Sequence, residues 1–240
     1  MKIKNYIIGC GGVGSYFLPP FAKTLRWIDH PRHRNAPIVL VDGDVLETKN
    51  LKRQQFTTSA VGVFKAEAAA AAISGEYPGI EHDSRYIDTS FTPDDRSVLF
   101  VFCDNHIARK DALAAADRTG STTIIAANSS IGAHSYVYLP EWKDGPLDPR
   151  VRFPEILTDL TGSPVQASGC ASEENLEENP QTPIANFMAA SHALLLWNFW
   201  SFHRSKLDRE LTMGFWPVEL SNTATTTNTV TYGNIITRTT

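Results

Sequence analysis

Six residues near the N-terminus, Gly9-Cys10-Gly11-Gly12-Val13-Gly14, constrain this chain more than any other feature. They follow a short β-prone run, Ile3 to Ile8, and precede apolar residues that recur at helical spacing as far as Trp27. The order is strand, glycine turn, helix. Glycines let a backbone approach a phosphate closely, and the helix start behind them offers free N–H groups and the positive end of its dipole. A dinucleotide-binding enzyme would use the same device, with an acid such as Asp42 on the ribose hydroxyls, and a tight turn with no ligand would read alike. Pro19 and Pro20 predict a kink or restart in the helix.

The pattern then repeats. Ile38-Val39-Leu40-Val41 is a continuous apolar run, as expected of a parallel strand covered on both faces, and it stops at Asp42-Gly43-Asp44. An alanine-rich helix is predicted from about Ala60 to Ser74, with Thr57, Thr58 and Ser59 as available caps, Gly75 as the stop and Lys65 on it. A second apolar strand, Val98 to Cys103, gives way to Asp104-Asn105 and a helix from about Ile107 to Arg118 stopped by Gly120, and Thr123 to Ala127 is a further strand. Such alternation predicts an α/β, Rossmann-like, mostly parallel sheet with helices on both faces and ligands at the carboxyl ends of its strands. From Pro140 to Pro183 prolines, turn residues and the acidic run Glu173 to Glu178 predict a long crossover loop. A C-terminal apolar helix, Ala185 to Phe202, and a β-prone segment, Trp216 to Thr240, complete the chain.

Composition narrows the function classes. With 240 residues and 42% hydrophobic content the chain can bury one substantial core. A net charge of -4 and a pI near 6.0 repel phosphate backbones, so no nucleic-acid partner is expected, and the basic cluster Arg26, Arg32, His33, Arg34 reads as a solvated loop. Cys10, Cys103 and Cys170 are odd in number and far apart, with no CxxC pair, which argues against a disulfide scaffold and against structural zinc and fits a reducing cytoplasm. Asn186, His192 and Asn198 interrupt the longest apolar stretch, so it reads as a buried or interface helix rather than a membrane span. The opening residues run straight into the glycine turn without a signal-peptide pattern, and a cytoplasmic location is expected.

The stretch from Asp42 to Phe56, DGDVLETKNLKRQQF, separates the candidate chemistries, with Lys65 following twelve residues after Arg53. A hydride carrier breaks no bond at phosphorus and has little use for this density of charge. Adenylation, by contrast, develops negative charge on a triphosphate that arginine, lysine and a metal must neutralise.

Taken together, the glycine turn, the DGDVLETKNLKRQ stretch, the lysine on the next helix and the apolar strand ending in Asp104-Asn105 resemble the ubiquitin-activating-like enzymes of the ThiF/MoeB superfamily. Within it the chain looks most like the short ThiF proteins of bacterial PRTRC clusters and bacterial ubiquitin-like conjugation operons. The resemblance implies one adenylation domain over residues 1–240, with a nucleotide-binding half at 1–135 and the crossover loop, helix and β segment at 136–240. It implies that Gly9, Gly11, Gly12 and Gly14 shape an ATP pocket and that Asp42 holds the ribose. Asp44, Asn50, Arg53 and Gln54 would line the triphosphate, Arg53 and Lys65 would counter its charge, and Asp104 would bind Mg2+. The implied partners are a ubiquitin-like protein, whose C-terminal carboxylate is adenylated, a conjugating enzyme, and a second copy of the chain in a homodimer. Related proteins carry a thioester- or persulfide-forming cysteine in the crossover loop, which points to Cys170, although Glu173, Glu174, Glu177 and Glu178 beside it oppose a thiolate. A sulfur-carrier, tRNA or small-molecule adenylyltransferase of the same fold, or a non-catalytic nucleotide-binding scaffold, is the alternative. The chain departs from the family in lacking paired CxxC motifs and in the extra 29–37 segment, which puts Asp42 28 residues past Gly14.

Overall fold

The computed structural model describes residues 2–128, 132–159, 182–202, 210–214 and 235–238. Its strands are β1 (Asn5–Ile8), β2 (Ile38–Val41), β3 (Ile80–Asp83), β4 (Val98–Val101), β5 (Thr122–Asn128), β6 (Gly132–Tyr138), β7 (Glu210–Gly214) and β8 (Ile235–Arg238). Its α-helices are α1 (Gly12–Trp27), α2 (Lys65–Ile73), α3 (His106–Thr119), α4 (Pro149–Arg152), α5 (Glu155–Thr158) and α6 (Pro183–Phe202). They assemble on one sheet in the order β3-β2-β1-β4-β5-β6-β7-β8, parallel from β3 to β5 and antiparallel from there on.

Strand periodicity divides the core into two layers. Ile7, Ile38, Leu40 and Phe100 point to one face, under α1, α2 and α6, while Tyr6, Ile8, Val39 and Val101 point to the other, under α3 and α5. This double cover explains why β1, β2 and β4 are buried at every position. The densest contact is aromatic: Phe17 and Phe21 of α1 lie with ring centroids 4.6 and 4.9 Å from Phe100. Each such fully buried ring is worth roughly 1.5–3 kcal/mol relative to exposure.

Some sequence expectations change. α1 runs unbroken from Gly12 to Trp27 through Pro19 and Pro20, because both prolines lie on its exposed face, where water can replace the bonds their missing N–H groups would make. The alanine-rich helix begins at Lys65 rather than Ala60, and Thr57, Thr58 and Ser59 do not cap it. Tertiary pairing overrides propensity there: the backbone of 62–65 is spent on Asp44 to Leu46, with Leu46 N–H donating to Val63 O at 2.8 Å and Lys65 N–H to Asp44 O at 2.8 Å. In the 29–37 loop Arg32 and Arg34 are exposed, but His33 is only 2% exposed and packs against Trp197, Trp200 and Phe202, so it is no part of a solvated basic cluster.

The start of the expected crossover loop is ordered into a short 3-10 turn, Pro140–Trp142, followed by α4 and α5. Arg150 anchors it, meeting Asp148 at 2.9 Å, Asp117 at 2.7 Å and the Tyr138 hydroxyl at 2.7 Å. Cys170 and the acidic run Glu173 to Glu178 lie outside the described residues, and of the expected β segment at 216–240 only β8 lies inside them. No helix among the described residues is long and apolar enough to cross a membrane.

Candidate functional site

The strand order places the site. The chain steps from β1 outward through β2 to β3, then returns to lay β4 on the other side of β1, so a crevice opens at the carboxyl ends of β1 and β4. The glycine turn and Asp104 stand at those ends, and Asp42 stands at the neighbouring end of β2.

Two glycines are required there by geometry. Gly9 has φ +92°, and a Cβ on Gly14 would sit 2.2 Å from Gly9 O, so α1 rests directly on the turn. Beside it, the Asp42 carboxylate accepts Cys10 N–H at 2.6 Å and Asp44 N–H at 2.9 Å. Burial pushes its pKa up to about 6; Asp44 adds to the rise, and Lys65 and the two N–H donors oppose it. Asp42 thus joins the strand end to the glycine turn.

Asp44 is engaged on both oxygens, one taking the Lys65 ammonium at 2.6 Å and the other the Tyr86 hydroxyl at 2.5 Å. Lys65, at the first position of α2, is 2% exposed, and an ammonium so buried is tolerated only with its counter-charge. The Tyr86 ring covers Gly43, where a Cβ would meet it at 2.8 Å. Its phenol is held protonated by burial and by the bond to Asp44.

The segment after β2 turns inward through a 3-10 helix, Thr48–Lys52. Asn50 is buried and its Oδ1 accepts Glu47 N–H at 2.9 Å, which fixes that turn. Arg53 and Gln54 follow it, 8% and 4% exposed. Neither polar atom of the Gln54 amide finds a partner among the described residues, and its Nε2 lies 3.4 Å from where a Cβ on Gly11 would be. A buried, unpaired amide against a glycine turn fits a site built for a polar ligand.

Across the crevice Asp104 is exposed at the end of β4. Its turn is pinned by Asn105, whose Oδ1 accepts Ala108 N–H at 2.8 Å, and by Arg109, whose Nε and Nη2 donate to Cys103 O at 3.2 and 3.1 Å. Burial, followed by the Asp42 carboxylate, pushes the Cys10 and Cys103 thiols well up, so neither is poised as a thiolate.

The geometry therefore gathers Gly9, Gly11, Gly12, Gly14, Asp42, Asp44, Lys65 and Gln54 around one turn, with Asn50 buttressing the segment that carries Arg53. Sequence reading misses two residues beside them. Tyr86 follows a polar edge strand with no motif to mark it. Asn186, on α6, counts in the sequence only as a polar interruption of an apolar run, yet it is fully buried and donates from Nδ2 to Arg53 O at 2.9 Å.

A doubly covered parallel sheet with a glycine turn, paired strand-end acids and a buried lysine defines a nucleotide-binding-type α/β domain. The sequence model of the ThiF family matches residues 2–147. The chain belongs to the ThiF family.

Comparison with solved structures gives the same fold. PaaA superposes with a TM-score of 0.60 at 15% identity, over 88% of this chain and 60% of that one. E. coli MccB superposes with a TM-score of 0.60 at 18% identity, over 88% of this chain and 59% of that one. E. coli MccB solved with ATP gives 0.58 at 19% identity, over 90% and 65%; MccB has also been solved with MccA. The chain spans less than two-thirds of the length of each of these structures. A comparison with curated proteins gives no sequence match.

Proposed function

We propose that this protein adenylates the C-terminal carboxylate of a ubiquitin-like protein, using ATP as the co-substrate. The observation that carries the reading is the buried pair Lys65–Asp44 beside a glycine turn that already holds an unpaired Gln54 amide. Redox chemistry on a nicotinamide has no need of that cation, whereas transfer at phosphorus does.

The residues present fit ATP. The glycine turn and the N-terminus of α1 receive phosphate, Asp42 takes the ribose hydroxyls, and Gln54 offers an unused donor to a phosphate oxygen. Arg53 and Lys65 counter the charge that builds as the carboxylate oxygen attacks the α-phosphorus and pyrophosphate leaves. Placement and charge neutralisation suffice for this step, since no covalent bond to the protein is required. Asp104, exposed after β4 across the crevice, would be the carboxylate that holds Mg2+, and with no cluster of three metal-binding side chains among the described residues the other ligands would be phosphate oxygens and water. When bound, that ion would screen the triphosphate.

In this reading the enzyme works as a homodimer. The acyl group passes to Cys170, whose thiolate attacks the acyl-adenylate carbonyl and releases AMP, and from there to a conjugating enzyme. ATP–pyrophosphate exchange measured against a panel of ubiquitin-like proteins tests the first step. Exchange is expected with the matching partner and absent in Asp104→Ala; full exchange in that variant would overturn the metal assignment. Melting-temperature gain with NAD and none with ATP would overturn the nucleotide reading altogether. A denaturant-stable, thiol-labile adduct lost in Cys170→Ser is expected for the second step.

A further inference from the structure

Asn186 comes from the first turns of α6, far in sequence from every other group at the site. Thr182 sets its position: Thr182 Oγ1 accepts Ala185 N–H at 3.2 Å, and Thr182 O accepts Asn186 N–H at 3.1 Å. The side chain is 0% exposed. Its Nδ2 donates to Arg53 O at 2.9 Å. Its Oδ1 has no partner among the described residues and lies 2.6 Å from where a Cβ on Gly12 would stand. One amide therefore touches both the first residue of α1 and the peptide plane that joins Arg53 to Gln54.

That plane matters because it sets the direction of two side chains at once. Asn50 O holds it from one side, accepting the Gln54 N–H at 2.9 Å, and steadies the preceding peptide by accepting the Arg53 N–H at 3.1 Å. Asn186 holds it from the other. Removing the Nδ2 donor would strand a buried carbonyl, and the plane would turn to find another partner. The Gln54 amide would then leave its place beside the glycine turn, and the Arg53 side chain would be redirected with it.

We infer that Asn186 is a positioning residue for the nucleotide site, acting through the Arg53 carbonyl to set the peptide from which Arg53 and Gln54 project, and with it the Gln54 amide against the turn at Gly11. The inference rests on the nucleotide-site reading above. It adds that α6, which lies beyond the region matched by the family model, supplies part of the site.

A double-mutant cycle tests it, with ATP affinity read by calorimetry on the full chain. Asn186→Ala and Arg53→Ala are each expected to weaken ATP binding by about tenfold or more, and the double variant to lose less than the two losses combined, because Asn186 acts in part through Arg53 and in part through Gln54. The isosteric Asn186→Asp keeps the volume but sets an acceptor against Arg53 O, and is expected to match or exceed the loss in Asn186→Ala. Melting curves confirm that each variant folds. Additive losses, wild-type affinity in Asn186→Asp, or a wild type that does not bind ATP would overturn the inference. A wild type that binds ATP and shows this cycle but catalyses no pyrophosphate exchange would overturn the adenylation reading and leave the positioning role standing.

Discussion

Asp42 shows what the site costs the fold. Its folded carboxyl, with a pKa raised from 3.8 to about 6, holds a proton more tightly than the unfolded one. Between those values the folded state binds more protons, so stability falls as pH rises through that window and the penalty is complete above it. Two units correspond to about 3 kcal/mol. Urea denaturation from pH 4 to 7 is expected to show this decline in the wild type and a flatter profile in Asp42→Asn, together with weakened ATP binding. Superimposable profiles would mean that the carboxyl is not strained by burial. The position of Asp42 was legible because an acid at the end of an apolar run has few structural uses. Tyr86 and Asn186 were not legible, since each acts by reaching a backbone or side chain that only the tertiary fold brings near.

At the scale of elements, the strands covered on both faces announce themselves as unbroken apolar runs. β3 does not: Ile80-Glu81-His82-Asp83 is an edge strand with its middle residues exposed, so its sequence carries no apolar period. α2 is shorter than its alanine content predicts for the opposite reason, because propensity is blind to the backbone pairing that commits residues 62–64 to Asp44 to Leu46 and delays the helix to Lys65. α1 carries its own handicap, two prolines in mid-helix on the exposed side. Pro19→Ala is expected to stabilise the protein by about 1–3 kcal/mol, the restored helix hydrogen bond outweighing the greater freedom of the unfolded chain. Denaturant titration measures it, and a loss of stability would show that the proline contributes to seating Phe17 and Phe21.

Across the whole molecule, the ordered start of the crossover region is tied to α3 and β6 by Arg150. Its partners Asp148 and Asp117 have side chains only 1% and 15% exposed. Arg150→Ala would leave both acids without their shared cation, at about 3–5 kcal/mol. Burial alone would raise the Asp148 pKa, but the Arg150 hydrogen bond and the N–H groups of Asp144 and Arg150 win and hold it below its ordinary 3.8. Its contribution is therefore present above that value and lost as pH falls below it, the reverse of Asp42. Urea melts at pH 7 and near pH 3 are expected to show a smaller effect of Arg150→Ala in acid; an equal effect would shift the role of Arg150 from charge to packing.

The bond from Asn186 to Arg53 spans 133 positions of chain. During synthesis on the ribosome, the glycine turn, Lys65 and Asp104 all emerge well before α6 does. A nascent chain therefore holds an incomplete pocket until α6 has left the exit tunnel and docked, and only then does Arg53 gain its anchor.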